Sequence, residues 1–210
     1  MDKNPPEMHF LRHGVTDWNV EHRMTSVSDI PLNREGIAQT KILSERIRDL
    51  QLNTIITSPM KRAIVTGEII AANQRSTLQN VIIDPLLQEL DFGTFEGRSK
   101  NDILKSDVAP LYQEWRNGLE LPSSMEVETW DNLKIRARSL LSKYMLHDGP
   151  ILFISHGYFI RVLFRTIIKG EPISSITSYP LDNGKFATIR WTNRHPNILE
   201  FNHDLEMCPI

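Results

Sequence analysis

The chain has 210 residues, 40% of them hydrophobic and 24% charged, the proportions of a globular protein long enough to bury a sizeable core. Its 24 Lys and Arg against 26 Asp and Glu leave a formal charge of -2, which argues against a general binder of nucleic acid or of an anionic membrane; any anion site must be a local cluster. The lone cysteine, Cys208, rules out an internal disulfide and suits a reducing, cytoplasmic setting.

No repeat or linker divides the chain, so a single domain over residues 1–210 is expected. Residues 1–7 (MDKNPPE) are polar and proline-containing, a short lead-in without the apolar core of a signal peptide. Residues 8–11 then form a first strand that runs into Arg12-His13-Gly14. Asn33 can cap a helix over 34–50, with Glu35 in its first turn and Leu43, Ile47 and Leu50 facing inward. A second strand at 54–57 meets Ser58-Pro59, an N-cap with proline at the first helical position. Met60, Ala63, Ile64, Gly67 and Ala71 then repeat at helical spacing, with Arg62 off that stripe. A third strand at 81–83 ends in Asp84-Pro85.

Residues 97–129 are less regular and lie where an insertion over a site could sit. Thr129 can cap a helix whose inner face is Trp130, Leu133, Ala137, Leu140, Leu141 and Tyr144, leaving Arg136 and Arg138 on a solvated side. The apolar run 151–155 leads into His156-Gly157 and a deeply packed helix over 158–169. That region is the most apolar of the chain, but His156, Arg161 and Arg165 exclude a membrane span. A last strand is expected at 186–191. Strands alternating with helices define an α/β domain, and runs such as ILFIS fit strands covered on both faces.

Two of these strands end in the same way, in a histidine followed by a glycine. In an open parallel sheet ligands collect at the carboxyl ends of the strands, so His13 and His156 would meet there if their strands are parallel neighbours. Arg12 at the same edge and Arg62 in the first turn of its helix make a concentrated positive site. A phosphate matches it, because guanidinium forks bind phosphate oxygens in pairs, and Gly14 and Gly157 let the backbone come close. Asn19 can add an amide N–H and Thr16 a hydroxyl. The loop after the third strand, ELDFGTFEG, carries Glu89, which could protonate a departing alkoxide; Asp91 and Glu96 share that loop and compete for the role. No His, Cys or carboxylate spacing points to a metal.

The segments LRHGVTDWN, SDIPLNREGIAQT, TSPMKRAIVT, ELDFGTFEG and SHG stand in the order seen in the histidine phosphatase superfamily, the phosphoglycerate-mutase-like proteins, which the chain resembles from about residue 8 to 165. The resemblance implies a three-layer α/β/α sandwich with a central, mostly parallel sheet, and phosphohistidine chemistry with no metal or other cofactor. It makes His13 the nucleophile, Arg12, Arg62 and His156 the phosphate clamp, Asn19, Thr16 and Gly157 further contacts, and Glu89 the proton donor. The chain departs from the usual pattern at Val15, at Thr25-Ser26 and at Val127-Glu128-Thr129, which places Thr25 and Ser26 among residues expected to line the substrate side.

His13 must attack as a neutral imidazole, and the charges of Arg12, Arg62 and His156 are expected to depress its pKa toward that form. The function expected is hydrolysis of a phosphomonoester, with a small phosphorylated metabolite or inorganic phosphate as partner and no nucleic acid or membrane. A phosphoglycerate mutase is the alternative, but relatives with that activity usually carry an Arg-Arg-Ser-Phe and a Pro-Pro-Pro signature that residues 97–129 lack. A non-catalytic phosphate-binding module is the third reading, and it could dispense with His13 and Glu89.

Overall fold

The computed structural model describes residues 5–75, 81–178, 180–192 and 195–203, so Cys208 and the first four residues lie outside the described chain. In chain order the elements are β1 (Met8–Arg12), α1 (Asp17–Val20), α2 (Arg34–Arg46), β2 (Thr54–Thr57), α3 (Lys61–Ala71), β3 (Val81–Ile83), α4 (Lys100–Leu104), α5 (Ala109–Arg116), α6 (Trp130–Tyr144), β4 (Ile151–Ser155), α7 (Gly157–Val162), β5 (Phe186–Thr192) and β6 (His195–His203). The strands form one six-stranded sheet in the order β3-β2-β4-β1-β5-β6. Its first four strands run parallel, while β5 and β6 are antiparallel additions.

Successive side chains of a strand point to opposite faces, and here both faces are apolar. Met8, Phe10, Ile56, Ile151 and Phe153 enter a core with α5, α6 and α7. Leu11, Ile55, Leu152 and Ile154 enter a second core with Leu43 of α2 and Ala63 and Ile70 of α3. The result is the expected α/β/α sandwich. Phe10 and Phe153 stack across the β1–β4 seam with ring centres 4.7 Å apart, tying together the two strands that carry the histidines.

Several elements depart from the sequence expectation. Helix α2 stops at Arg46 and not near residue 50, because the chain turns to bury Leu52 before entering β2. Ser58 does not cap α3: that helix starts at Lys61, and its first free N–H is taken by Asp29 Oδ1 at 2.7 Å. The buried face of α3 is Arg62, Ala63, Thr66, Gly67 and Ile70, so Arg62 belongs to the inner stripe. The helix from Gly157 changes character at Leu163, where residues Leu163–Ile168 widen into a π-helix and the Lys169 N–H reaches the Phe164 carbonyl. Residues 97–129 include α4 and α5, whose Tyr112 and Trp115 are core residues. The strand β6 was not expected; it is an edge strand that opens His195-Pro196, and proline is tolerated where no partner needs its N–H.

Candidate active site

The parallel pairing of β1 with β4 puts Arg12 opposite Ser155, and the His13 N–H then donates to the Ser155 carbonyl at 3.1 Å. The two strand-end histidines are therefore delivered side by side, with ring centres 5.0 Å apart and an edge-to-face tilt of 62°. Both are buried. His13 Nδ1 lies 2.7 Å from the Gly14 carbonyl. A carbonyl can only accept, so the Nδ1 proton is fixed there and the Nε2 lone pair is left free. His156 is held in the opposite sense. Arg62 Nε, which can only donate, lies 3.4 Å from its Nδ1, and its Nε2 lies 2.8 Å from Ser58 Oγ. This is the use the fold makes of Ser58.

Arg62 has no exposed surface, and two of its N–H groups donate to the carbonyls of Ser28 and Ser26, each at 2.9 Å. Arg12 donates to the Leu181 carbonyl at 2.6 Å, and its buried Nε has no acceptor among the described residues. Burial first, then the Arg62 and Arg12 charges, holds His13 well below the ordinary imidazole range. Burial and Arg62 do the same to His156. Burial, with the Arg161 charge, lowers Arg12 to about 10, so it still carries its charge at neutral pH. An unpaired guanidinium N–H beside two neutral imidazoles is a strong electrostatic site for an anion.

Of the expected site residues, Arg12, His13, Asn19, Thr25, Glu89 and Gly157 line one cavity of about 310 Å³. His156 packs against His13, Arg62 bonds to His156, and both are more deeply buried than His13. The Asn19 side-chain oxygen accepts from the Thr16 backbone and from Asn183, which leaves its NH2 as the group available to a ligand. Thr16 is wholly buried, and its hydroxyl caps α1 by accepting from Asn19. Ser26 lines the adjoining cavity that shares Glu89 and not the His13 cavity itself; its hydroxyl donates to Glu96 and its carbonyl braces Arg62. Both serve the site through its framework. Val15 accepts from the Asn33 N–H, and a Cβ on Gly36 would stand 2.1 Å from the Val15 oxygen. Gly14 meets the same helix, where a Cβ would lie 2.7 Å from Thr40 Oγ1. Those glycines bring α2 against the His13 loop.

The three acidic residues of this loop differ in their partners. Glu96 accepts from the Ser26 N–H and hydroxyl and from the Ser28 N–H. Asp91 accepts from the Gly93 N–H. Glu89 alone of the three lines the His13 cavity. Its carboxylate accepts from the N–H groups of Tyr158 at 3.0 Å and Phe159 at 2.9 Å in the first turn of α7. A second cavity of about 550 Å³, lined partly by Asp91, Leu121, Val127, Glu128 and Thr129, shares Glu89 with the first. Val127, Glu128 and Thr129 thus border this neighbouring space.

The sequence reading did not single out His22, Arg23, Met24, Phe92, Tyr158 and Arg161 of the His13 cavity, whereas Lys100 and Tyr112 come from residues 97–129, the segment expected over the site. Arg161 stacks on the Tyr158 ring at 4.4 Å and Arg23 on Trp18 at 4.1 Å. It also missed Asn183, whose amide donates to the His13 carbonyl at 2.9 Å. Only the position of Arg161, one helical turn after Gly157, carried a signal that could have found it. Among the described residues no cluster of His, Cys, Asp or Glu could hold a metal ion.

An α/β/α sandwich with two histidines, two arginines and a carboxylate at adjacent strand ends defines a phosphate-handling protein. Comparison with known proteins makes the class specific. The model of the histidine phosphatase superfamily (branch 1) matches residues 8–204, and the chain belongs to that family. It is 31% identical over 193 residues to the uncharacterized phosphatase PhoE of Bacillus subtilis, covering 90% of this chain and 92% of that protein. It is 30% identical to the probable phosphoglycerate mutase GpmB of Proteus mirabilis, covering 89% and 86%. The fold matches a phosphoserine phosphatase of Entamoeba histolytica solved with 3-phosphoglyceric acid, with TM-score 0.82, 23% identity and 95% and 98% coverage. It also matches the alpha-ribazole phosphatase of Shigella flexneri, with TM-score 0.80, 24% identity and 97% and 100% coverage.

Proposed function

We propose that this protein is a cytoplasmic phosphomonoester hydrolase that passes the phosphoryl group of a small phosphorylated metabolite to His13 and then to water. The observation that carries the reading is the 2.7 Å contact of His13 Nδ1 with the Gly14 carbonyl, which assigns the ring proton to Nδ1 and leaves Nε2 as the nucleophile on a residue that lines one cavity with Arg12 and Glu89. Arg12, Arg62 and the Asn19 amide hold the phosphate oxygens. Nε2 forms the N–P bond as the bond from phosphorus to the leaving oxygen breaks, and protonated Glu89 gives that oxygen its proton. Spread over the fixed guanidinium donors, the charge of the transition state needs no reorganisation of solvent. Water then attacks the phosphohistidine, returning one proton to Glu89 and the bonding pair to Nε2.

Beyond the phosphate the cavity is cationic, with Arg23, Lys100 and Arg161 on its walls against the single carboxylate of Glu89. This favours a substrate with a second anionic group. The primary test is His13→Ala with p-nitrophenyl phosphate. Activity should fall by at least about 10³-fold, and phosphate release at the parental rate would end the proposal. Incubation with 3-phosphoglycerate addresses the mutase reading: the expected product is inorganic phosphate, whereas predominance of the 2-isomer would replace hydrolysis with transfer.

A further inference from the structure

Arg136, expected on the solvated side of α6, has given its donors to the loop that carries Glu89. Its Nη1 donates to the carbonyls of Leu86 at 3.0 Å and Gln88 at 2.6 Å, and its Nη2 to that of Glu89 itself at 3.2 Å. The guanidinium is oriented by Glu128, which receives Nε at 3.2 Å and Nη2 at 2.8 Å. Glu128 in turn holds the far side of the loop, accepting from the Asp91 N–H and donating its own N–H to the Asp91 carbonyl at 2.9 Å. The pair is only 17% and 16% exposed, where a bidentate ion pair is geometrically stiff. The guanidinium also lies 5.1 Å from the centre of the Phe159 ring, and the Phe159 N–H donates to the Glu89 carboxylate. One cation therefore touches both the backbone of Glu89 and a residue that holds its side chain.

Such a clamp has a mechanical purpose at this place. Glu89 is the residue common to the two cavities, so the wall that carries it has open space on both sides. Its carbonyls would otherwise be satisfied by water without fixing the loop. The other grip of α6 on this region is remote: Lys143 and Tyr144 bind Asp84, which caps the turn before Leu87. It leaves the Glu89 peptide itself unheld. We propose that Arg136, oriented by Glu128, is a positioning residue that holds Glu89 at the distance needed for proton delivery to the leaving oxygen. The inference rests on the acid role given to Glu89 above.

The test uses the dependence on leaving group. An alkoxide must be protonated as it departs, whereas p-nitrophenolate departs readily without help. The quantity to read is kcat/KM, which reports steps up to phosphoryl transfer to His13, for β-glycerophosphate and p-nitrophenyl phosphate. In Arg136→Gln the loss should be at least about tenfold larger for the alkyl ester than for the aryl ester. Glu89→Gln should show the same bias, and the double variant should lose less than the product of the two single losses. Arg136→Lys keeps the charge but cannot span the carbonyls, so it should show the bias in reduced form, and it serves if Arg136→Gln fails to fold. Equal losses on the two esters in the folded variant, or strictly multiplicative losses with Glu89→Gln, would overturn the inference while leaving the hydrolase reading intact. A parent enzyme that cleaves neither ester would instead remove the hydrolase reading.

Discussion

Keeping His13 and His156 neutral has a consequence for stability as well as for reactivity. Both have folded pKa values well below the ordinary 6.5, so below about pH 6.5 the unfolded chain takes up protons that the folded protein refuses. Stability should therefore be flat, as far as these groups go, from pH 8 to 7. It should fall as pH drops through 6.5, by up to about 1.4 kcal/mol per pH unit for each histidine. Thermal unfolding followed between pH 8 and 5 in phosphate-free buffer checks this. His156→Asn should flatten the acid slope; an unchanged slope would show that other groups carry it. For the same reason His13 remains a neutral nucleophile into mild acid, and kcat/KM should show no loss from His13 protonation between pH 7 and 6. The direction of this shift follows from sequence reasoning about neighbouring cations, but its leading cause does not. Burial comes first and the arginines second, and burial is a property of the folded chain.

At the scale of elements, the site depends on loops whose side chains bond to other loops. The carbonyls of Ser26 and Ser28 brace Arg62, and Glu96 gathers the N–H groups of the same two residues. Glu96→Gln keeps the shape but removes the charge that those donors face. It should cost about 1–3 kcal/mol of stability and raise KM for phosphoesters more than it lowers kcat, measured by thermal unfolding and steady-state kinetics. An unchanged KM would separate the brace from phosphate binding. The helix caps make a simpler case. Asn33 Oδ1 accepts from the Gly36 N–H at 2.8 Å, and Asn33→Ala should cost about 1 kcal/mol, read from the shift in denaturation midpoint. The Asn33 and Thr129 caps were legible because capping is a local pairing a few residues long. Ser58-Pro59 shows the limit of that logic. The same local signature was drawn off by a histidine at the end of a different strand.

For the whole molecule, the sheet is the rigid platform, and β1 and β4 are its centre. We propose that the chain is one cooperative domain. Phe153 is fully buried between Phe10 and Tyr144, so Phe153→Ala should lose about 3–5 kcal/mol and move a single unfolding transition without splitting it. Two separated transitions would show independent units. The cavity walls call for a different measurement. Lys100 is exposed on α4, while Arg161 is on α7, so the cationic rim is assembled from segments distant in the chain. Lys100→Ala should raise KM several-fold for 3-phosphoglycerate and leave p-nitrophenyl phosphate nearly unaffected. Equal effects on both would mean that the lysine only adds to the general field.

The sequence by itself determined five of the six strands, the main helices, and the two histidine turns with the arginines expected beside them. Each of those is written as a short apolar run, a helical period or a compact cluster of chemically unusual residues. Folding decided what depends on distance in space. It turned Arg136 from a surface charge into a clamp, withdrew Thr16 into the framework, and set Ser26 on the wall of the adjoining cavity. It also built a cationic rim from Arg23, Lys100 and Arg161. The physical reason is that a polar side chain is committed by whichever donor or acceptor the fold brings to it, and that partner can lie anywhere along the chain.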